Sequence, residues 1–105
     1  MNTATQLKSK VAVNSIHKVE NGKNGTVGIC DLNINGEFTI TGVLINKNKD
    51  GGIYLKFPYR TIRTSQGTEY ADIAHPATKD TRTAVTELVV EAWQSNFGEE
   101  MQQAA

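Results

Sequence analysis

The dipeptide Asn35-Gly36 constrains this chain more than any other feature. It lies between two β-branched, partly apolar runs, Thr26 to Ile34 and Glu37 to Ile45. Asn-Gly tolerates the positive φ angles that a tight hairpin turn needs, so the two runs are predicted to fold back as antiparallel partners. Cys30, Leu32 and Ile34 alternate along one face of the first run. In the second run the apolar face starts at Phe38 and Ile40 but resumes at Val43 and Ile45. That change of parity crosses Gly42, which predicts a bulge or bend there.

Further strands are expected on either side. Val11 to Val19 is β-branched and moderately apolar, and Asn21 to Gly25 supplies a turn. Ile53, Leu55 and Phe57 alternate cleanly, and Pro58, without an amide donor, ends that strand. Asn46 to Gly52 and Tyr59 to Thr68 read as loops, with Gly67 turning the second; Glu69 to Ala74 reads as a short strand stopped at His75-Pro76. Then the period changes. Val85, Leu88, Val89, Ala92 and Trp93 fall at i, i+3, i+4, i+7 and i+8, the apolar stripe of a helix. Thr78, Asp80 and Thr81 are candidate N-caps, and Asn96 and Gly98 mark its end. The stripe needs a surface to cover, and the apolar face of the sheet is the surface the chain offers. The expected fold is therefore α+β: an antiparallel sheet of about five strands followed by one C-terminal amphipathic helix. A single domain over 10–97 with flexible tails at 1–9 and 98–105 is expected.

Composition narrows the function classes. The 105 residues are 38% hydrophobic and 21% charged, ordinary globular proportions. No apolar run approaches the ~20 residues of a spanning helix, and Met1 to Lys10 lacks the apolar centre of a signal peptide, so no membrane insertion and a cytoplasmic location are expected. Cys30 is the single cysteine, which excludes an intrachain disulfide and a cysteine zinc site; a buried structural thiol is expected. Net charge is zero, but residues 1–65 carry nine basic and four acidic side chains, and residues 66–105 two and seven. Such asymmetry either forms an interaction surface or only balances solubility across the fold.

Several residue groups invite chemistry. Asp72 and His75 have the makings of a carboxylate–imidazole pair, but no third member accompanies them. The simpler role is structural: the His75 ring locks the corner before Pro76, with Asp72 accepting backbone amides. Two histidines far apart in sequence, His17 and His75, do not make a metal site. No glycine cluster has phosphate-loop spacing, so no nucleotide cofactor is expected. Lys47 to Arg63 is different. It holds Lys47, Lys49, Lys56, Arg60 and Arg63 against Asp50 alone, with Tyr54 and Tyr59 among them. Cations meet phosphates and rings stack on bases, so this stretch is a candidate nucleic-acid surface; a solvated loop of scattered lysines is the bland alternative. Lys79 and Arg82 extend the candidate set. Trp93 and Phe97 are assigned to the core, with a dimer seam as the other reading.

The order of these blocks resembles the SpoVG (stage V sporulation protein G) septation-regulator family. Ile29 to Phe38 looks like its second and third strands. Asp50-Gly51-Gly52-Ile53-Tyr54-Leu55-Lys56-Phe57-Pro58 looks like its glycine loop, apolar strand and closing proline. Asp72-Ile73-Ala74-His75-Pro76, followed by Thr81-Arg82 and the helix, is the strongest block. The likeness spans about Val11 to Phe97. Three features depart from the family: a longer segment between Pro58 and Asp72, a basic pair reduced to Tyr59-Arg60, and an extra N-terminal tail. The resemblance implies a cytoplasmic, non-enzymatic homodimer that regulates septation or sporulation, in some members by binding DNA or RNA. The alternative is a protein-interaction module that meets a division-related protein without touching nucleic acid.

Overall fold

The computed structural model describes residues 10–20, 22, 25–98 and 102–103. Five strands form the main sheet in the order β1-β2-β3-β4-β7: β1 Val11–Lys18, β2 Thr26–Ile34, β3 Phe38–Lys47, β4 Gly52–Lys56 and β7 Gln102–Gln103. β5 (Tyr59–Thr64) and β6 (Gly67–Asp72) form a separate two-stranded sheet. Among the described residues one helix, α1, runs from Lys79 to Phe97. The α+β class and the C-terminal helix are as expected. The tails at 1–9, 99–101 and 104–105 lie outside the described residues, as do positions 21, 23 and 24 of the first turn. Gln102 and Gln103 pair in parallel with Gly52 and Ile53 at the edge of the sheet.

The Asn-Gly turn forms where expected. Asn35 and Gly36 take φ of 58° and 73°, and the Glu37 amide donates to the Ile34 carbonyl at 3.0 Å. Two bulges then keep the apolar side chains on one face. In β1, Val11, Val13 and Ile16 break parity; an extra residue at Asn14 restores it, so that Val13 faces Leu32 and Ile16 faces Cys30. In β3, Thr41 and Gly42 together oppose Asp31, which brings Ile40 opposite Leu32 and Val43 opposite Cys30. Gly42 has φ 77°, and its amide donates to Asp31 Oδ1 at 3.0 Å. The predicted bulge is present for the predicted reason: period-2 alternation has to slip by one residue to keep both halves of the strand buried.

α1 covers the face so formed. Val85, Val89 and Trp93 join Cys30, Leu32, Val43, Ile45, Ile53, Leu55 and Phe57 in one core. Thr78 caps the helix, its hydroxyl accepting the Thr81 amide at 3.1 Å. Gly98, at φ 68°, ends it and donates to the Gln94 carbonyl. Trp93 is a core residue, 2% exposed, and packs edge-on against the half-buried Phe97. Among the described residues no helix lies on the opposite face of the sheet. That face presents Ser15, His17, Ile29, Leu44, Tyr54 and Lys56 in register across the strands.

One expectation needs correction. Tyr59 to Thr68 is not a loop. It forms β5, a turn at Ser65-Gln66 and the start of β6, with Thr64 Oγ1 donating to the Gly67 carbonyl at 3.0 Å. β6 ends at Asp72, two residues short of the expected strand end. The alternation that reveals a strand reflects burial of one face. Here neither face is buried: only Ile62 and Ala71 are half-buried, and every other residue of the hairpin is exposed.

Candidate nucleic-acid interface

The hairpin departs from the body at Pro58 and returns at Ile73, whose amide donates to the Pro58 carbonyl at 2.8 Å. Between these points it makes no extended contact with another strand or with α1. Its ladder runs without a bulge from Tyr59 opposite Asp72 to Thr64 opposite Gly67. Regular pairing sorts its side chains into two faces. One holds Tyr59, Thr61, Arg63, Thr68, Tyr70 and Asp72; the other holds Arg60, Ile62, Thr64, Glu69 and Ala71. Arg60 and Arg63 are both exposed but point to opposite sides. The Tyr59 and Tyr70 rings meet edge-to-face at 5.5 Å, and Lys56 Nζ lies 4.6 Å from the centre of the Tyr59 ring.

The remaining basic candidates divide into two groups. Lys47 ends β3 and Lys49 lies in the β3–β4 turn, both exposed. That turn is built by Asn48, whose side-chain oxygen accepts the amides of Asp50 and Gly52. The five residues of β4 separate these lysines from the hairpin by about 17 Å of strand. Lys79 and Arg82 lie in the first turns of α1, at the hairpin's end of the molecule, and the Arg82 guanidinium is 5.5 Å from the Phe57 ring. The structure therefore groups Arg60, Arg63, Lys79 and Arg82 at one end and Lys47 and Lys49 at the other. Lys56, already part of the basic stretch read from sequence, and Tyr70, outside it, both lie against Tyr59 at the base of the hairpin.

Asp72 and His75 are not joined by a hydrogen bond. Asp72 closes the hairpin ladder, and His75 Nδ1 bonds the Pro76 carbonyl oxygen at 2.9 Å across the turn into the helix. His75 and Pro76 also line an apolar cleft of about 200 Å³ with Val11, Leu32, Ile40, Phe57 and Val85. His17 lies in β1, opposite Ile29. Among the described residues no group of three or more His, Cys, Asp or Glu side chains is placed to hold a metal ion. No described helix is long and apolar enough to cross a membrane. Cys30 is 1% exposed, and burial, reinforced by the neighbouring Asp31 charge, pushes its thiol up to about 12.

Fold and site together define a small α+β domain that offers a projecting cationic and aromatic β-ribbon. The chain matches the SpoVG family over residues 9–95 and belongs to that family. The family is one of non-enzymatic regulators, and membership points to a regulator of the sporulation and septation type. Comparison with curated proteins returned no match.

Proposed function

We propose that this protein is a dimeric, cytoplasmic regulator that acts by binding DNA or RNA through the β5–β6 hairpin. The observation that carries this reading is the hairpin itself. It exposes Arg60, Arg63, Tyr59 and Tyr70 away from the core, with Lys79 and Arg82 at the same end. Arg60 and Arg63 leave opposite sides of the ribbon and so do not form one surface, but Arg63 shares its face with Tyr59 and Tyr70, and a dimer would present two such faces. Lys47 and Lys49 contribute only where the strand continues along β4.

A mobility-shift titration tests it. If the two hairpin arginines of each subunit meet phosphates, a fourfold rise in salt weakens binding roughly 100-fold. Replacing Arg60 and Arg63 together by alanine flattens that dependence. Unshifted DNA and RNA at micromolar protein rule the reading out.

A second reading, a protein-interaction module linked to division, draws on the apolar cleft and on Phe38 and Ile73, 70% and 66% exposed. Proteins that co-purify after nuclease treatment, and are lost with Phe38→Ala or Ile73→Ala, favour it.

A further inference from the structure

All three tyrosines of the chain, Tyr54, Tyr59 and Tyr70, are exposed, at 41%, 38% and 70%, whereas Phe57 and Trp93 are 4% and 2% exposed. They come from three different strands, and Tyr59 and Tyr70 meet. Tyr54 and Lys56 alternate with the buried Ile53 and Leu55, so both point out from the face of the main sheet opposite α1. Lys56 Nζ reaches the Tyr59 ring at 4.6 Å, and Tyr59 meets Tyr70 at 5.5 Å. Arg63 stands two ladder positions beyond Thr61 on the same hairpin face. Tyr54, Lys56, Tyr59, Tyr70 and Arg63 thus form one strip of rings and cations, with Tyr59 and Tyr70 side by side, that passes from the main sheet onto the hairpin. Asp72, opposite Tyr59, is the acidic side chain on it.

We propose that the strip binds single-stranded nucleic acid, with bases stacked on Tyr54, Tyr59 and Tyr70 and the backbone held by Lys56 and Arg63. The proposal rests on the nucleic-acid reading above and specifies its ligand. Exposed rings gain little from a duplex, whose bases are already stacked on one another, but an unpaired strand offers free base faces. Ring–base stacking tolerates any sequence, while Lys56, between Tyr54 and Tyr59, and Arg63, beyond Tyr70, flank the rings where phosphates would pass.

The test uses the full chain and one mixed-sequence oligonucleotide, as DNA and as RNA, each offered single-stranded and as a duplex. Fluorescence anisotropy is expected to show single strands binding at least tenfold tighter than duplexes, with either sugar. Tyrosine emission should be quenched on binding. Tyr59→Ala and Tyr70→Ala should each weaken binding fivefold or more, and Tyr59→Phe and Tyr70→Phe, which keep the ring, should bind like the parent. Circular dichroism checks that each variant is folded. Equal or tighter duplex binding, or alanine variants that bind like the parent, overturns the inference and leaves the nucleic-acid reading standing. If neither form binds, that reading falls and the inference with it. If light scattering shows that Tyr70→Ala halves the mass while binding is unchanged, the strip is a seam between copies and the inference is wrong.

Discussion

Gly28 shows how a single residue fixes the packing of the helix on the sheet. A Cβ there would lie 2.6 Å from Trp93 Cζ3, 3.0 Å from the His17 carbonyl oxygen and 3.3 Å from Ile45 Cδ1. The backbone oxygen and the buried indole have little room to yield. Gly28→Ala is expected to cost about 1–3 kcal/mol through overpacking. A lower urea midpoint with altered Trp93 emission checks it. Cys30 gives a pH-dependent counterpart. Its folded pKa is raised from 9.0 to about 12. Below about 9 both folded and unfolded thiols keep the proton; above it the unfolded thiol ionises first, so stability falls as pH rises toward 12. Thermal melts across that window should show a steeper decline for the parent than for Cys30→Ala. A thiol reagent should label Cys30 only on unfolding.

At the scale of elements, α1 was the most legible in sequence. Its stripe, cap candidates and terminal glycine each rest on local chemistry, and the helix runs from the Thr78 cap to Gly98 as that chemistry requires. Thr78→Ala removes the hydroxyl that accepts the Thr81 amide and is expected to cost about 1 kcal/mol. A melting point lower by about 4–8 °C is the corresponding readout. The β2–β3 hairpin and its bulge were equally legible, because Asn35-Gly36 and the parity change at Gly42 are both written in residue types. The β5–β6 hairpin was not. Thr61, Ile62 and Thr64 favour a strand, but without a buried face they leave no alternation to read.

For the whole molecule, that difference predicts a hierarchy of stability. The body has one core shared by α1 and β1–β4, while the ribbon is held by its own ladder, the Lys56–Tyr59 contact and the bond from Ile73 to Pro58. An isolated two-stranded ribbon is marginal in water. Amide exchange in β5 and β6 is therefore expected to be at least tenfold faster than in β2 and β3, through local opening that leaves the core intact. Uniform protection across both sheets would contradict this. The ribbon belongs to a molecule of 46 × 30 × 25 Å. It is also the part that carries the candidate site, so the least buried region is the one with chemistry to offer.

The sequence by itself determined the class of fold, the register of the central hairpin, the bulge at Gly42, the burial of Cys30 and Trp93, and the extent of the helix. These follow from short-range preferences and from one-sided burial, both of which leave a period in the chain. It also named Arg60, Arg63, Lys79 and Arg82 as basic candidates. Only the tertiary structure decided that Arg60 and Arg63 face opposite ways, that Lys47 and Lys49 lie at the far end of β4, and that Tyr54, Tyr59 and Tyr70 line one strip. Those relations depend on the β5–β6 ladder and on the path of the chain through Pro58. Side chains that meet across strands at the surface have no burial to impose a pattern on the sequence that joins them.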